Sequence, residues 1–598
     1  LLTRLGFVRR SHLKPEEPNP WIPRTDRLEP PVPLPRLILA CLALTLAARP
    51  ALAQDASWRS ELYPETWTPA TVEKASFETD KLVQDFSYAG YLRGEAPLPR
   101  IEGPVFDVTD PAFGADPTGA TDSTAAIQKA IDAAAASGGA GGGVVLMPAG
   151  VFRVFARSHA ALTIRKPHIV LRGAGPEKTF LFNTQTDMRY KAIIQVLGPS
   201  GSHWQNNKAP AVAITADLTG PALTIPVADT APFSVGQYVV VRCDITPEWV
   251  LEHKEDAWLG HEAKLGGIAY YRQITALDPQ AKTLTLDAPT RYYLKRRDNA
   301  RVAIAGELVH HVGLEDFSIG NLEHPGKGGF GENDYTKENT PAYQAHGSFA
   351  ITMNRVRDSW IRNVHSRRHV ANATGAHLLS NGVLLTWSRG VTVADCHFQR
   401  PQYGGGGGNG YMFRLTSANE CLLARCTAEF SRHGFVFSSL SSSGNVLWRC
   451  TDRTTARATG DTGSYRTSGA SSDHHMHLSH SNLLDHCTAD GSFFQAAYRP
   501  WGSLPRHNLT AAHTVYWNTL GQGPGGPVVH SVQARFGYII GTRGSRPDVD
   551  VKSSAAPHKT DPVDHVEGVG KGDSLTPASL YEDQFLRRTG RPPAIARP

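Results

Sequence analysis

Asp473, His474, His475, His477, His480 and His486 crowd into the run SSDHHMHLSHSNLLDHC, Ser471–Cys487. Imidazoles beside a carboxylate can hold a metal, move a proton, or merely face solvent. The backbone beneath them decides which. On a strand, Met476 and Leu478 share one face, expected to be the inner one, and Asp473, His475 and His477 point outward together. His474 then points inward or lies in a turn. Outward neighbours sit about 7 Å apart along the strand. That spacing is wide for a compact metal site unless an adjacent strand helps, and it suits a row lining a sugar. No metal ligand is therefore assigned.

Polar and aromatic residues stay dense from His346 to His513. HSRRH (His365–His369) reads equally well as a solvated turn. The glycine run in QYGGGGGNGY (Gln402–Tyr411) reads as a flexible loop, which can lie over a groove. SRHGF (Ser431–Phe435) sets Arg432 and His433 just before a strand. YRPWG (Tyr498–Gly502), PRHN (Pro505–Asn508) and AAHTVYWN (Ala511–Asn518) add cations and rings; such rings are ordinarily core, but beside charges they can stack on sugars. The candidate catalytic residues are Arg432, His433, Asp473, His475, His477 and Tyr498. In this set His433 or His475 is the base, Tyr498 or His477 the acid, and Asp473 orients a histidine. Arg432 and Arg499 are expected to hold a carboxylate. The candidate substrate-binding residues are Arg368, Tyr411, Arg499, Trp501, Arg506, His507 and His513.

A repeated strand unit must position these side chains. An aliphatic-x-x-(Phe/Val/Cys) step recurs at Leu314–Phe317, Ile361–Val364, Val393–Cys396, Leu423–Cys426, Leu447–Cys450 and Leu484–Cys487. From the second onward the steps are 32, 30, 24 and 37 residues apart. A fixed core step with uneven spacing fits coils of a β-solenoid whose loops vary in length. Like packs on like in such coils, so Cys396, Cys426, Cys450 and Cys487 are expected to stack inside as small hydrophobes. Disulfides among them are the alternative in an oxidising compartment. A four-cysteine zinc site is not expected, because no CxxC occurs.

Phe106–Val154 reads as a helix followed by strands. Asp122 is a good N-cap, Ile127 and Ile131 lie one helical step apart, and Gly138 and Gly139 end the helix. VVLMP, a turn at Ala149-Gly150, and VFRV read as two short strands. GGAGGG precedes a strand and lacks the Lys-Ser/Thr ending of a phosphate loop. With FGADPTGATDSTAAIQKAIDAA, GGGVVLMPAGVF and IVLRGAG (Ile169–Gly175), this stretch strongly resembles the start of the pectate-lyase superfamily, the right-handed parallel β-helix proteins of secreted bacterial carbohydrate-active type. The expected fold class is all-β: a right-handed parallel β-helix (solenoid) with an N-terminal capping helix. The resemblance implies no single activity, because the same start precedes lyases, glycosidases and phage tail-spike enzymes.

Residues 1–53 read as an upstream extension and signal peptide: Arg36, the apolar LILACLALTLAA, and a cleavage site at Ala51-Leu52-Ala53. The apolar run is too short to span a bilayer, which predicts a secreted or periplasmic protein with no membrane partner after cleavage. Residues 54–100 are expected to pack on the helix. Residues 101–210 form the first coils with the capping helix. Residues 211–303 break the coil rhythm and read as a small β-rich insertion, with a hairpin around Asp278–Ala281 and EWVLEHKEDAWLGHE overhanging a groove. Residues 304–545 are the main coils with the active groove. Residues 546–598 are a tail whose short helix, within Val566–Gly590, covers the last exposed edge.

Polymers generally bind along the outside of β-helix enzymes, across several coils. A uronate lyase must neutralise a carboxylate, remove the adjacent C5 proton and accommodate the leaving oxygen; Arg, His, Tyr or a bound cation can do this. A glycoside hydrolase needs two carboxylates across the bond, and Asp452, Asp461, Asp473, Asp485 and Asp490 are available. Arginine and histidine dominate, so the expected function is a polysaccharide lyase cleaving an anionic, uronate-containing polysaccharide by β-elimination. A β-helix glycoside hydrolase and a non-catalytic carbohydrate-binding solenoid are the alternatives. The net charge of +6 over 598 residues favours a polyanion only weakly. No nucleic-acid partner is expected, and the oligomeric state is left open. The polygalacturonase-like motif set and the acidic calcium cluster of pectate lyases are not seen, so the resemblance transfers no catalytic residue. No cofactor is assigned; Ca2+ is the candidate.

Overall fold

A computed structural model describes residues 56–137, 143–200, 204, 209–454, 471–552 and 563–596. The expected signal peptide, the helix-ending Gly138 and Gly139, and Asp461 lie outside the described residues.

The four-residue step is a bend. Its third residue (Asp316, Asn363, Asp395, Arg425, Arg449 or His486) takes a left-handed φ between 52° and 62°. The bend brings the first and fourth residues, which an unbroken strand points to opposite faces, onto the same inner side. Leu314, Ile361, Val393, Leu423, Leu447 and Leu484 are successive partners in one parallel ladder, and all are buried. Each coil thus adds one aliphatic layer and one Phe, Val or Cys layer to the core. The cysteine column is made of buried free thiols. Cys426 Sγ lies 3.4 Å from Val393 O, and Cys450 and Cys487 Sγ lie 3.3 Å from Leu423 O and Leu447 O.

A second sheet of ten parallel strands runs the length of the solenoid. Its strands are β1 (Ala160–Ile164), β2 (Ala192–Leu197), β3 (Phe349–Asn354), β4 (Asn381–Thr386), β5 (Tyr411–Thr416), β6 (His433–Ser438), β7 (Ser472–Met476), β8 (Phe494–Ala496), β9 (Val529–Ser531) and β10 (Val549–Asp550). Neighbouring strands belong to successive coils, about 4.8 Å apart. The parallel crossovers wind the chain into a right-handed β-helix. Helix α1 (Thr124–Ala136) packs Ile127, Ala130, Ile131 and Ala134 into the first coils. It starts one residue later than an Asp122 cap implies: Ser123 is the N-cap, and Asp122 Oδ1 accepts the Thr124 N–H at 3.0 Å.

The chain leaves the solenoid between residues 211 and 304 to form a six-stranded antiparallel sheet. A buried ion cluster pins this insertion to a coil. Both Glu420 carboxylate oxygens accept from Arg272 at 2.8 Å, and Oε1 also accepts from Arg291 Nε at 3.1 Å. Apolar side chains continue the contact. Tyr270 and Leu294 of the insertion, Phe77 and Phe86 of the N-terminal segment, and Tyr581 and Phe585 of helix α2 (Leu580–Thr589) share one core with Leu422 and Val446 of the coils. Helix α2 flanks the coils and does not cross their last edge, which corrects the sequence expectation. Asp485 accepts its first N–H groups, from Leu580 and Tyr581, at 3.2 and 3.0 Å. The strand His565–Glu567 pairs with Tyr538–Arg543 as the next rung of the larger sheet.

Candidate active site

The register slips between β6 and β7. Val436 pairs with Asp473 and Phe437 with His474, but Ser438 pairs with Met476, so His475 is the extra residue of a bulge. A bulge bends its strand and re-aims the side chain it inserts. His474 turns inward and stacks on Phe437, centroids 4.8 Å apart. Met476 is half-buried and not core, contrary to a plain two-residue period. His477 and Leu478 leave the strand with φ of 52° and 49°. The expected outward row of three is therefore a pair, Asp473 and His475, with His477 in the turn beyond.

Three other pieces of chain converge on this pair. Tyr411 comes from β5, His433 from β6, and Arg499 from the short hairpin of Tyr498–Arg499 with Asn508–Leu509. Asp473 Oδ2 lies 2.7 Å from Arg499 Nη1, 3.0 Å from His475 Nδ1 and 3.4 Å from His433 Nδ1. His475 Nε2 lies 3.0 Å from the Tyr411 hydroxyl. Arg499 Nη1 is also 3.1 Å from the His475 carbonyl oxygen. Its two hydrogens are satisfied by that carbonyl and by Asp473, so His475 Nδ1 bears its own proton and donates it to Asp473. His475 Nε2 is then the acceptor for the Tyr411 O–H. His433 donates from Nδ1 to Ser471 O at 2.6 Å.

Burial pushes His433 down to about 4 and holds His475 well below the ordinary imidazole range, although Asp473 pulls both upward. Burial pushes Asp473 the other way. The surrounding imidazoles and Arg499 outweigh it and hold the carboxyl well below the usual carboxylate range. With both imidazoles neutral, the Arg499 guanidinium is the cation that keeps Asp473 ionised. Arg414 and Arg432 set their guanidinium carbons 5.6 and 5.8 Å from the Tyr411 ring centre. Donor atoms of His433, Asp473 and His475 come within 4.8 Å of one another, a spacing a metal could bridge. Arg499 Nη1 already stands 2.7 Å from Asp473 Oδ2 and 3.1 Å from His475 Nδ1, so the positive charge at this point is the guanidinium.

The structure brings Tyr411, Arg432, His433, Asp473, His475, Arg499 and His507 together; the His507 and His475 rings are 5.3 Å apart. Other expectations need correction. Arg499 is only 6% exposed and is committed to Asp473 and to Gln495 Oε1, at 2.6 Å, so it does not grip a substrate carboxylate. Tyr498 alternates with Arg499 along its strand and packs, half-buried, against the core that holds the insertion. His513 is core, against Phe77 and Tyr292. Arg368 bonds Asn372 O in the loop after Trp360–Ser366 of the larger sheet. Trp501 and Arg506 are exposed on the loop that delivers His507. His477 lies at the rim, its ring 6.1 Å from Trp258 of the insertion. Arg414 and Gln495 were missed. Each is the polar residue between two apolar ones in a strand, Phe413-Arg414-Leu415 and Phe494-Gln495-Ala496; strand alternation marks both as outward.

The same sheet bears a cleft of about 210 Å³ across β2, β3 and β4, lined by His159, Tyr190, Lys191, Gln195, Thr352 and Leu384. From β3 to β6 is three coil steps, about 14 Å.

Residues 105–209 match the family described as rhamnogalacturonase A/epimerase, pectate lyase-like. No curated protein sequence matches the chain. Solved structures similar to it include the tailspike gp61 of Pseudomonas phage phi297, 11% identical over 75% of this chain and 71% of that one, TM-score 0.45. The A-module of mannuronan C-5 epimerase AlgE6 from Azotobacter vinelandii is 12% identical over 79% and 99%, TM-score 0.30. A hyperthermoactive exopolygalacturonase from Thermotoga maritima is 11% identical over 76% and 90%, TM-score 0.31. The chain thus folds as a parallel β-helix, and the part of it that opens the coils, residues 105–209, matches a pectate-lyase-like family.

Proposed function

We propose that the protein is an exported polysaccharide lyase that cleaves an anionic, uronate-containing polymer by β-elimination. The observation that supports this is the relay Asp473–His475–Tyr411, flanked by Arg414 and Arg432. The arginines neutralise the uronate carboxylate, which makes the C5 proton acidic. Tyr411 is buried in the resting structure, so its cover must part before it meets substrate; its oxygen then removes that proton as its own passes to His475 Nε2, and Asp473 stabilises the imidazolium. The C4–O4 bond breaks, a C4–C5 double bond forms, and the proton returns through Tyr411 to the leaving O4. Net, one proton moves from C5 to O4. The cleft around Tyr190 and Lys191 provides a second contact about 14 Å away, a reach that suits a polymer.

Hydrolysis has less support. Asp452 is buried and accepts from the Ser472 and Ser492 hydroxyls at 2.6 Å. Asp485 caps helix α2, and Asp490 pairs with Arg453. Asp473 alone among the described candidate acids belongs to the cluster. The test is to incubate the protein, with and without Ca2+, with uronate-containing and neutral polysaccharides. New ultraviolet absorbance from the C4–C5 double bond supports a lyase. Reducing ends without absorbance indicate a hydrolase, and retention on the polymer without either indicates a binding module.

A further inference from the structure

His168, His310 and His311 meet at one corner of the solenoid. Their donor nitrogens lie within 4.8 Å of one another, and all three side chains are half-buried. The register explains the meeting. Val170 pairs with Gly313, so His168 and His311, each two residues upstream, lie side by side on adjacent coils. Their rings stack 5.0 Å apart. His310 Nδ1 faces His311 Nδ1 at 2.9 Å, and the His310 ring stands edge-on to both others at 5.0 Å. We propose that this trio binds one late first-row divalent cation of the zinc, nickel or copper type, each imidazole giving one nitrogen and water completing the shell.

Two ring nitrogens facing each other at 2.9 Å share a single proton, and a metal takes its place. Three imidazoles select a borderline cation and disfavour Ca2+, which wants oxygen. The neighbouring Arg357 is countered by Asp358 at 2.9 Å. His168 and His311 hold left-handed φ, 61° and 54°, at the coil corner where Asp358, Glu420 and Ser481 also do. His168 precedes the antiparallel insertion in sequence and His310 follows it. A bound ion therefore ties together the two coils that the insertion separates, and stabilises the fold by mass action. None of this rests on the polysaccharide reading.

The test uses the full chain, stripped of metal, titrated with Zn2+ by calorimetry and with Co2+ by visible absorption. One equivalent is expected, with a cobalt spectrum of nitrogen ligation and a higher Tm in saturating Zn2+. His168→Asn and His311→Asn remove donors while keeping a side chain that tolerates positive φ. Each is expected to weaken binding roughly tenfold or more with an unchanged circular dichroism spectrum. His433→Gln and His565→Gln, in the other two donor clusters, are expected to keep the same affinity. Failure of the wild type to bind Zn2+, or full-affinity binding in the His168→Asn/His311→Asn double variant, overturns the proposal.

Discussion

Asp473 and His475 stand two residues apart on one strand, yet Asp473 Oδ2 and His475 Nδ1 are 3.0 Å apart. A regular strand spaces such neighbours about 7 Å along its axis; the bulge at His475 and the lean of two side chains close the gap. The contact aims His475 Nε2 at Tyr411. Tyr411→Phe is expected to lower kcat by about 10²- to 10⁴-fold and stability by about 1 kcal/mol. Steady-state kinetics on the cleaved polymer, with a urea melt, reads both. Undiminished kcat would remove Tyr411 from the reaction.

Asp473→Ala leaves the Arg499 guanidinium buried without its counter-ion. The expected loss is about 3–5 kcal/mol of stability, alongside lost activity. A double variant that also replaces Arg499 with Met is expected to recover part of the stability and none of the activity. Recovery of both would show the pair to be structural only.

Acid should destabilise this protein early. Burial pushes His433 down to about 4 and His474, His480 and His513 to about 3. Between about pH 6.5 and 4 the unfolded chain takes up protons that these imidazoles refuse in the fold. Stability therefore falls as pH falls, by about 1.4 kcal/mol per pH unit for each such histidine. Asp485 and Asp564, pushed up to about 7 and about 6 by burial, act in the opposite sense: their stabilising share is lost as pH rises. Four histidines outweigh two carboxyls, so urea melts at pH 4.5, 5.5 and 6.5 should show stability climbing with pH. A flat profile would mean that these rings are hydrated in the fold.

Glu420 joins the insertion to the coils through Arg272 and Arg291, and all three side chains are buried. Glu420→Ala strands two guanidinium groups. It is expected to cost about 3–5 kcal/mol and to open the insertion first, seen as faster amide exchange in residues 268–294. Uniform exchange across the chain would argue against a separately anchored insertion.

Tyr190 is 62% exposed at the distant cleft. Tyr190→Ala should change stability by no more than about 0.5 kcal/mol. It should raise KM for long polymer about threefold to tenfold, the loss of one ring contact worth about 0.5–1.5 kcal/mol, and leave kcat and short substrates alone. Equal effects on short and long substrates would place the cleft outside the binding path.

Much of the fold was legible in the chain. The step from Val393 to Cys396 and its repeats marked the coils, because core layers must be apolar wherever the loops between them go. The left-handed residue at its third position was not legible, since Asp, Asn, Arg and His all fill it. The candidate site was legible in part. Asp473, His475 and His433 stood out by composition, and Arg414 and Gln495 by an alternation that was overlooked. His513 misled because an imidazole side chain serves a core as readily as a groove.

By itself the sequence determined a parallel solenoid, its capping helix and the neighbourhood of the candidate site, because hydrophobic period and local turn preference are short-range properties. The tertiary structure decided which of those side chains meet. A one-residue bulge turned a row of three into the pair Asp473 and His475, coil stacking delivered Tyr411 and His433 to them, and a distant hairpin supplied Arg499 as the buried counter-charge. Coil register likewise joined His168 to His311 across the whole insertion. Register and bulges depend on contacts between residues far apart in the chain, and no local pattern encodes them.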